Sequence, residues 1–135
     1  MLARIRKSME EHEEGFTLVE LLVVVIIIGI LASIAIPTFL NQRENAWKRA
    51  AQSDLRNSAT VMESYYGDNG TYAKVGALDP ATGFKQSDNV TLAVAASSAT
   101  AYCLTADNSK LNGVGIDFWF SSADGKPVTA KPAGC

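Results

Sequence analysis

What this 135-residue sequence has little of excludes most enzymology. It contains one histidine, His12, and two cysteines, Cys103 and Cys135. A Ser–His–Asp triad, a multi-histidine zinc site and a four-cysteine zinc site all lack parts. Positive charge is not in excess: 12 Lys and Arg against 14 Asp and Glu leave a net charge of −2, so no basic field supports a dedicated nucleic-acid site. There is no phosphate-binding loop and no internal repeat. Asp107, Asn108, Asp117 and Asp124 follow no compact calcium-ligand spacing, so neither a metal nor a cofactor is expected. Carboxylate-only chemistry survives this elimination, but the composition points away from an enzyme. At 47% hydrophobic and 19% charged residues the chain is too apolar for disorder, and its length suits one domain with an appendage.

The apolar residues are concentrated. From Leu21 to Leu40 the sequence reads LLVVVIIIGILASIAIPTFL, twenty residues without a charge. As a helix this run spans roughly 30 Å, the thickness of a bilayer core. A buried core helix in a small soluble domain is the alternative, and it rarely needs so long a stretch. Residues 1–15 are short, polar and highly charged. Ser33-Ile34-Ala35 would suit cleavage by signal peptidase after Ala35, which would release a secreted binding domain or enzyme. Against that stand the length of the apolar run, the four glutamates before it and Glu20 in its first turn.

The string Gly15-Phe16-Thr17-Leu18-Val19-Glu20, set directly before the apolar run, resembles the processing site of type IV prepilins and of the related pseudopilins of secretion and competence machines. Leu21, Gly29 and Pro37 extend the resemblance, which continues more loosely to the end of the chain. It implies a leader of residues 1–15, removed after Gly15 by a prepilin peptidase that N-methylates the new terminal Phe16. It also implies that the apolar helix is kept. In a filament the Glu20 carboxylate would then pair with the Phe16 amine of a neighbouring subunit; a buried charge requires a partner, so the pairing selects one stagger. The helix would partly unwind between Gly29 and Pro37 on assembly. The implied partners are further copies of the chain, the peptidase, a membrane assembly platform with its ATPase, and membrane lipid before assembly. Function is expected to be that of a type IVa-like pilus subunit, with a pseudopilin of type II secretion or DNA uptake as the alternative. Adhesion, twitching motility, DNA uptake and electron transfer are not distinguished.

Beyond Pro37 the period changes. Trp47, Ala51, Leu55, Ala59, Met62 and Tyr66 recur at steps of three or four, one face of an amphipathic helix. The opposite face carries Arg43, Glu44, Lys48, Arg49, Gln52 and Arg56. The expected helix covers residues 16–66, with 16–40 in the membrane or filament core and 41–66 outside it. Pro37 is expected to kink it and Gly67 to cap it in the left-handed conformation. Residues 67–135 read as a loop followed by a sheet. Val90, Leu92 and Val94, then Tyr102, Leu104 and Ala106, then Ile116, Phe118 and Phe120 alternate as strands, and Asp124-Gly125 marks a hairpin tip. The expected fold is α+β: a long N-terminal helix packed on three or four antiparallel strands.

Positive residues flank the apolar run on both sides and do not fix its orientation. The cysteines bear on it. With no other soft ligands present they suggest a disulfide between Cys103 and Cys135, which needs an oxidising compartment; free thiols are the alternative. The layout resembles the C-terminal disulfide loop of many type IV pilins. The leader would then stay cytoplasmic and residues 67–135 would lie outside, on an inner-membrane protein that becomes a surface pilus.

Overall fold

A computed structural model describes residues 15–75, 85–111 and 118–135. Helix α1 runs Leu18–Asn69, and strands β1 (Val90–Ser97), β2 (Tyr102–Asn108), β3 (Phe118–Ser121) and β4 (Pro127–Val128) follow. The expected leader, apart from Gly15, and the expected strand residue Ile116 lie outside the described residues, as does Asp117. Two compact units divide after Leu40.

In the first unit α1 carries the apolar run through Gly29 and Pro37. Its large side chains are all exposed. Its two hydroxyls are satisfied within the helix: Ser33 Oγ donates to the Ile30 carbonyl at 2.7 Å and Thr38 Oγ1 to that of Ile34 at 3.0 Å. Such internal bonding lets a hydroxyl sit where no water can reach it.

In the second unit, residues 41–135, the helical stripe meets the sheet. Ala51, Leu55, Ala59 and Met62 pack with Val90, Leu92, Leu104, Ala106, Phe118 and Phe120, joined by Tyr72, Tyr102 and Leu111. Trp47 is half-buried at the margin of this core. Tyr66, expected on the same stripe, is exposed and stacks on Tyr72 with ring centroids 4.6 Å apart. The sheet is antiparallel in the order β1-β2-β3-β4. Leu92 pairs with Ala106 and Leu104 with Phe120, so the three expected faces fall on one side, facing the core. A register shift between Val94 and Ala96 bends the outer strand β1.

Two expectations need correction. The helix does not stop at Tyr66. Gly67 lies inside it, on an open face where an added Cβ would meet nothing, so its only cost is backbone freedom. The left-handed residue is Gly70 (φ 68°), whose N–H donates to the Tyr66 carbonyl at 2.7 Å. The helix also begins at Leu18, two residues later than expected, because Thr17 caps it.

Strand β2 departs from simple alternation as well. Cys103 and Thr105, on its far face, are buried along with Tyr102, Leu104 and Ala106. The chain after β4 covers that face: Cys135 is bonded to Cys103, with Cα atoms 5.7 Å apart, and Lys131 lies over the Trp119 ring at 5.5 Å. The left-handed Gly134 (φ 92°) and the Cys135 N–H to Pro132 carbonyl bond at 3.2 Å turn the chain back toward β2. The sheet is therefore a middle layer, with the helix on one face and a disulfide-held strap on the other.

Candidate assembly site

The residues around the start of α1 form a reciprocal cap. The Thr17 N–H and hydroxyl both donate to Glu20 Oε2, at 3.0 and 2.7 Å. The Glu20 N–H donates back to Thr17 Oγ1 at 3.2 Å, and the Leu21 N–H to the Thr17 carbonyl at 3.2 Å begins the helical ladder. This is a capping box: two orphan N–H groups at the helix start gain acceptors, and a carboxylate sits at the positive end of the helix dipole. Thr17 is absent from the site residues expected above, and Thr-x-x-Glu before an apolar run is the sequence signal for it.

The cap uses one carboxylate oxygen. No described residue donates to Glu20 Oε1, which leaves half of the acid open to a donor from outside the chain. Gly15 and Phe16 directly precede the cap outside any helix or strand and both are exposed, so the Gly15–Phe16 bond is open to approach. From Phe16 to Leu40 the site continues as bare hydrocarbon; Phe16 is 89% exposed and Ile27 is 51% exposed. Gly29 would admit a Cβ without contact, so nothing inside the chain demands glycine there. A helix apolar all round needs lipid or other helices about it.

The second unit, by contrast, satisfies itself. Asp54 is buried on the helix, where it accepts the Ser87 N–H at 2.7 Å and the Ser87 hydroxyl at 2.9 Å. Asn108 donates to the Trp47 carbonyl at 3.3 Å and accepts the Lys110 N–H at 3.0 Å. Glu63 takes the hydroxyl of Tyr72 on one oxygen at 2.8 Å and that of Tyr102 on the other at 3.1 Å. Burial first, and then these bonds to a carboxylate, push the Tyr72 hydroxyl up to about 12 and that of Tyr102 further still. Apart from Asn108 and Lys110, these pairs are 9 to 61 residues apart in sequence and left no local signal. Among the described residues no group of three His, Cys, Asp or Glu could hold a metal ion.

Comparison with known proteins accords with this division. The prokaryotic N-terminal methylation motif matches residues 12–36. The family described as type IV minor pilin ComP, DNA uptake sequence receptor, matches residues 37–113. The type IV wide pilus major component PilA4 of Thermus thermophilus is 35% identical over 118 residues, 87% of this chain and 86% of that protein. The type IV major pilin protein PilA of Myxococcus xanthus is 41% identical over 62 residues, 46% of this chain and 28% of that protein. Type II secretion system core protein G of Dickeya chrysanthemi is 39% identical over 64 residues, 47% of this chain and 42% of that protein. By its methylation motif, its fold and a relative that matches nearly end to end, the chain belongs to the type IV pilin family, whose members are structural proteins and not enzymes.

Proposed function

We propose that the chain is the precursor of a type IV pilus subunit, cut after Gly15, N-methylated at Phe16 and polymerised through its apolar helix. Residues 1–15 are then the leader, and 16–40 the segment that lies in the inner membrane before assembly and in the filament core afterwards. Residues 41–66 continue the helix beyond the bilayer, and the strands with their disulfide complete an extracytoplasmic domain. A prepilin peptidase, a membrane platform and an ATPase are the partners this requires, since the chain itself has no phosphate-binding loop.

One observation carries the reading. The large side chains of the apolar helix are exposed in the single chain, and it starts at a carboxylate with one oxygen open to a donor. Hydrocarbon removed from water contributes about 1.5–3 kcal/mol per large side chain, so neighbouring helices can hold a fibre without covalent links. The Phe16 amine, created by cleavage, is the donor proposed for Glu20. Gly29 and Pro37 are where the helix would unwind in the fibre: Pro37 supplies no N–H to the Ser33 carbonyl, and glycine restricts the backbone least.

The match to PilA4 covers nearly the whole of both chains, whereas those to core protein G stop short of half, which favours the pilus over the pseudopilin. DNA uptake enters through the name of the family matched at 37–113. Charge gives it no support, for residues 41–135 hold nine Lys and Arg against nine Asp and Glu.

The test separates the two roles of Glu20 in a strain that expresses only the variant. Glu20→Gln keeps an acceptor for the cap but loses the charge, and Glu20→Ala loses both. If pairing with the amine drives assembly, both variants insert and are cleaved, and surface fibres become scarce in both. Abundant fibres from Glu20→Gln would overturn the pairing. Intact mass of the mature protein should give a chain beginning at methylated Phe16; a start at Ile36 would mean signal peptidase and refute the reading.

A further inference from the structure

Where α1 enters the second unit, Gln42, Asn45, Ala46 and Arg49 line a shallow groove. The four positions share one helix face, turned away from the sheet, and all are exposed. The groove offers donors from a guanidinium and from two amides, which can also accept, around the small side chain of Ala46.

The charges nearby are already committed. Lys48 is paired with Glu44 at 2.6 Å, and the Arg43 guanidinium lies over the Trp47 ring at 5.1 Å. Between residues 41 and 62 the helix has only two carboxylates, Glu44 and Asp54, and the second is engaged by Ser87. No described residue hydrogen-bonds or ion-pairs with Arg49. The groove therefore holds an uncompensated cation with neutral donors beside it, and its natural ligand is an anion.

Helix rise says which anion. Counting from Leu40, the last residue of the apolar run, Gln42 lies about 3 Å further along the helix, Asn45 about 7 Å and Arg49 about 13 Å. The headgroup layer beyond the hydrocarbon is roughly 5–8 Å thick. Long helical side chains lean back toward the N-terminus by about a turn, which brings the Arg49 guanidinium to within about 8 Å of the hydrocarbon. Arg56, on the same face, is about 24 Å along and stays out of reach after the same lean.

We propose that the Gln42–Asn45–Arg49 groove binds the phosphate of an anionic phospholipid headgroup while the subunit waits in the bilayer. The site rests on the membrane reading above but not on its orientation, since both leaflets carry phosphates. It holds the helix at one depth, with Leu40 at the edge of the hydrocarbon, and the lipid must leave before that face packs in a fibre.

The full chain is reconstituted in phosphatidylcholine vesicles with and without phosphatidylglycerol, then released into the gas phase for native mass spectrometry. Wild-type chains should retain phosphatidylglycerol in preference to phosphatidylcholine. Arg49→Gln should lower that retention about fivefold, the worth of one cation near an anionic surface. Arg49→Lys should restore most of it, and Arg56→Gln should leave it unchanged. Unaltered retention in Arg49→Gln, or an equal fall in Arg56→Gln, would overturn the site. So would displacement of the lipid by inorganic phosphate, or Arg49-dependent dimers that carry no lipid. A chain that alkaline carbonate washes off the vesicles would refute membrane residence itself; a chain that stays inserted but retains no lipid refutes the site alone.

Discussion

The two units of this chain handle the same kind of residue in opposite ways. Beyond Leu40, Leu55 and Leu104 are fully buried, and no buried side-chain nitrogen or oxygen among the described residues lacks a partner. Up to Leu40, seventeen large apolar side chains among the described residues, from Phe16 to Leu40, are exposed. The second unit solves its folding problem internally. The first is half of an interface, completed by lipid or by other helices. Hydrophobic burial is worth the same per area in both places, but only in the second is it spent on the stability of the single chain.

Paired substitutions sharpen the contrast. Leu104→Ala should destabilise the second unit by about 2–5 kcal/mol, since it opens a cavity between helix and sheet. Ile27→Ala, on the exposed helix, should leave the denaturant midpoint of that unit unchanged and register only in insertion or fibre yield. A loss of stability from Ile27→Ala comparable with that from Leu104→Ala would erase the distinction.

Cys135→Ser should cost a comparable amount, about 3–4 kcal/mol by the chain-entropy estimate for a loop of this length. The loss should fall wholly on the second unit, with insertion and cleavage intact. It should also bare Cys103 and Trp119, which amide exchange on β2 and tryptophan quenching would report. Rapid thiol labelling of both cysteines in the native protein would contradict the bridge.

The smallest effect is electrostatic and appears only in alkali. Tyr72 and Tyr102 have their hydroxyl ionisation raised in the folded state above the ordinary value near 10. Their contribution is complete below pH ~10, where both folded and unfolded chains hold the proton. It declines as the unfolded tyrosines ionise and is lost as the pH passes the folded value of Tyr72, about 12. Absorbance titration should show two tyrosines ionising late and together with unfolding, and in Glu63→Gln they should ionise earlier. A single tyrosine titration near pH 10 in the folded protein would remove the Glu63 clamp from the account.

Much of this was legible because it is periodic. The steps of three and four from Trp47 to Met62 are a local record of which face is covered, and the alternating residues of β1, β2 and β3 record the same for the sheet. The apolar run announced its own exposure. The rest depended on chain folding back over itself. That Cys103 is buried follows from the strap, which arrives from some thirty residues downstream and leaves no mark on β2. Asp54 looks like a surface acid until Ser87 reaches it. Helix α1 ends at Asn69 with Gly70, not Gly67, as the left-handed residue after it, and the Asn69 side chain bonds the Tyr65 carbonyl at 3.0 Å. The capping box is different: its Thr-x-x-Glu pattern stands in the sequence, on the same residues that carry the family resemblance.

The disulfide also has a mechanical meaning. A subunit in a fibre under tension is loaded along its helix, and any unravelling of the second unit must draw chain out of the sheet. Cys103 and Cys135, 32 positions apart, close β3, β4 and the strap into a covalent ring. Once a pull reaches Cys103 it passes through the sulfur bridge, and the ring yields no slack. Roughly 110 Å of extended chain, at about 3.4 Å per residue, is thereby kept out of reach of force. In a stretching experiment the reduced protein should lengthen by about that much more than the oxidised one.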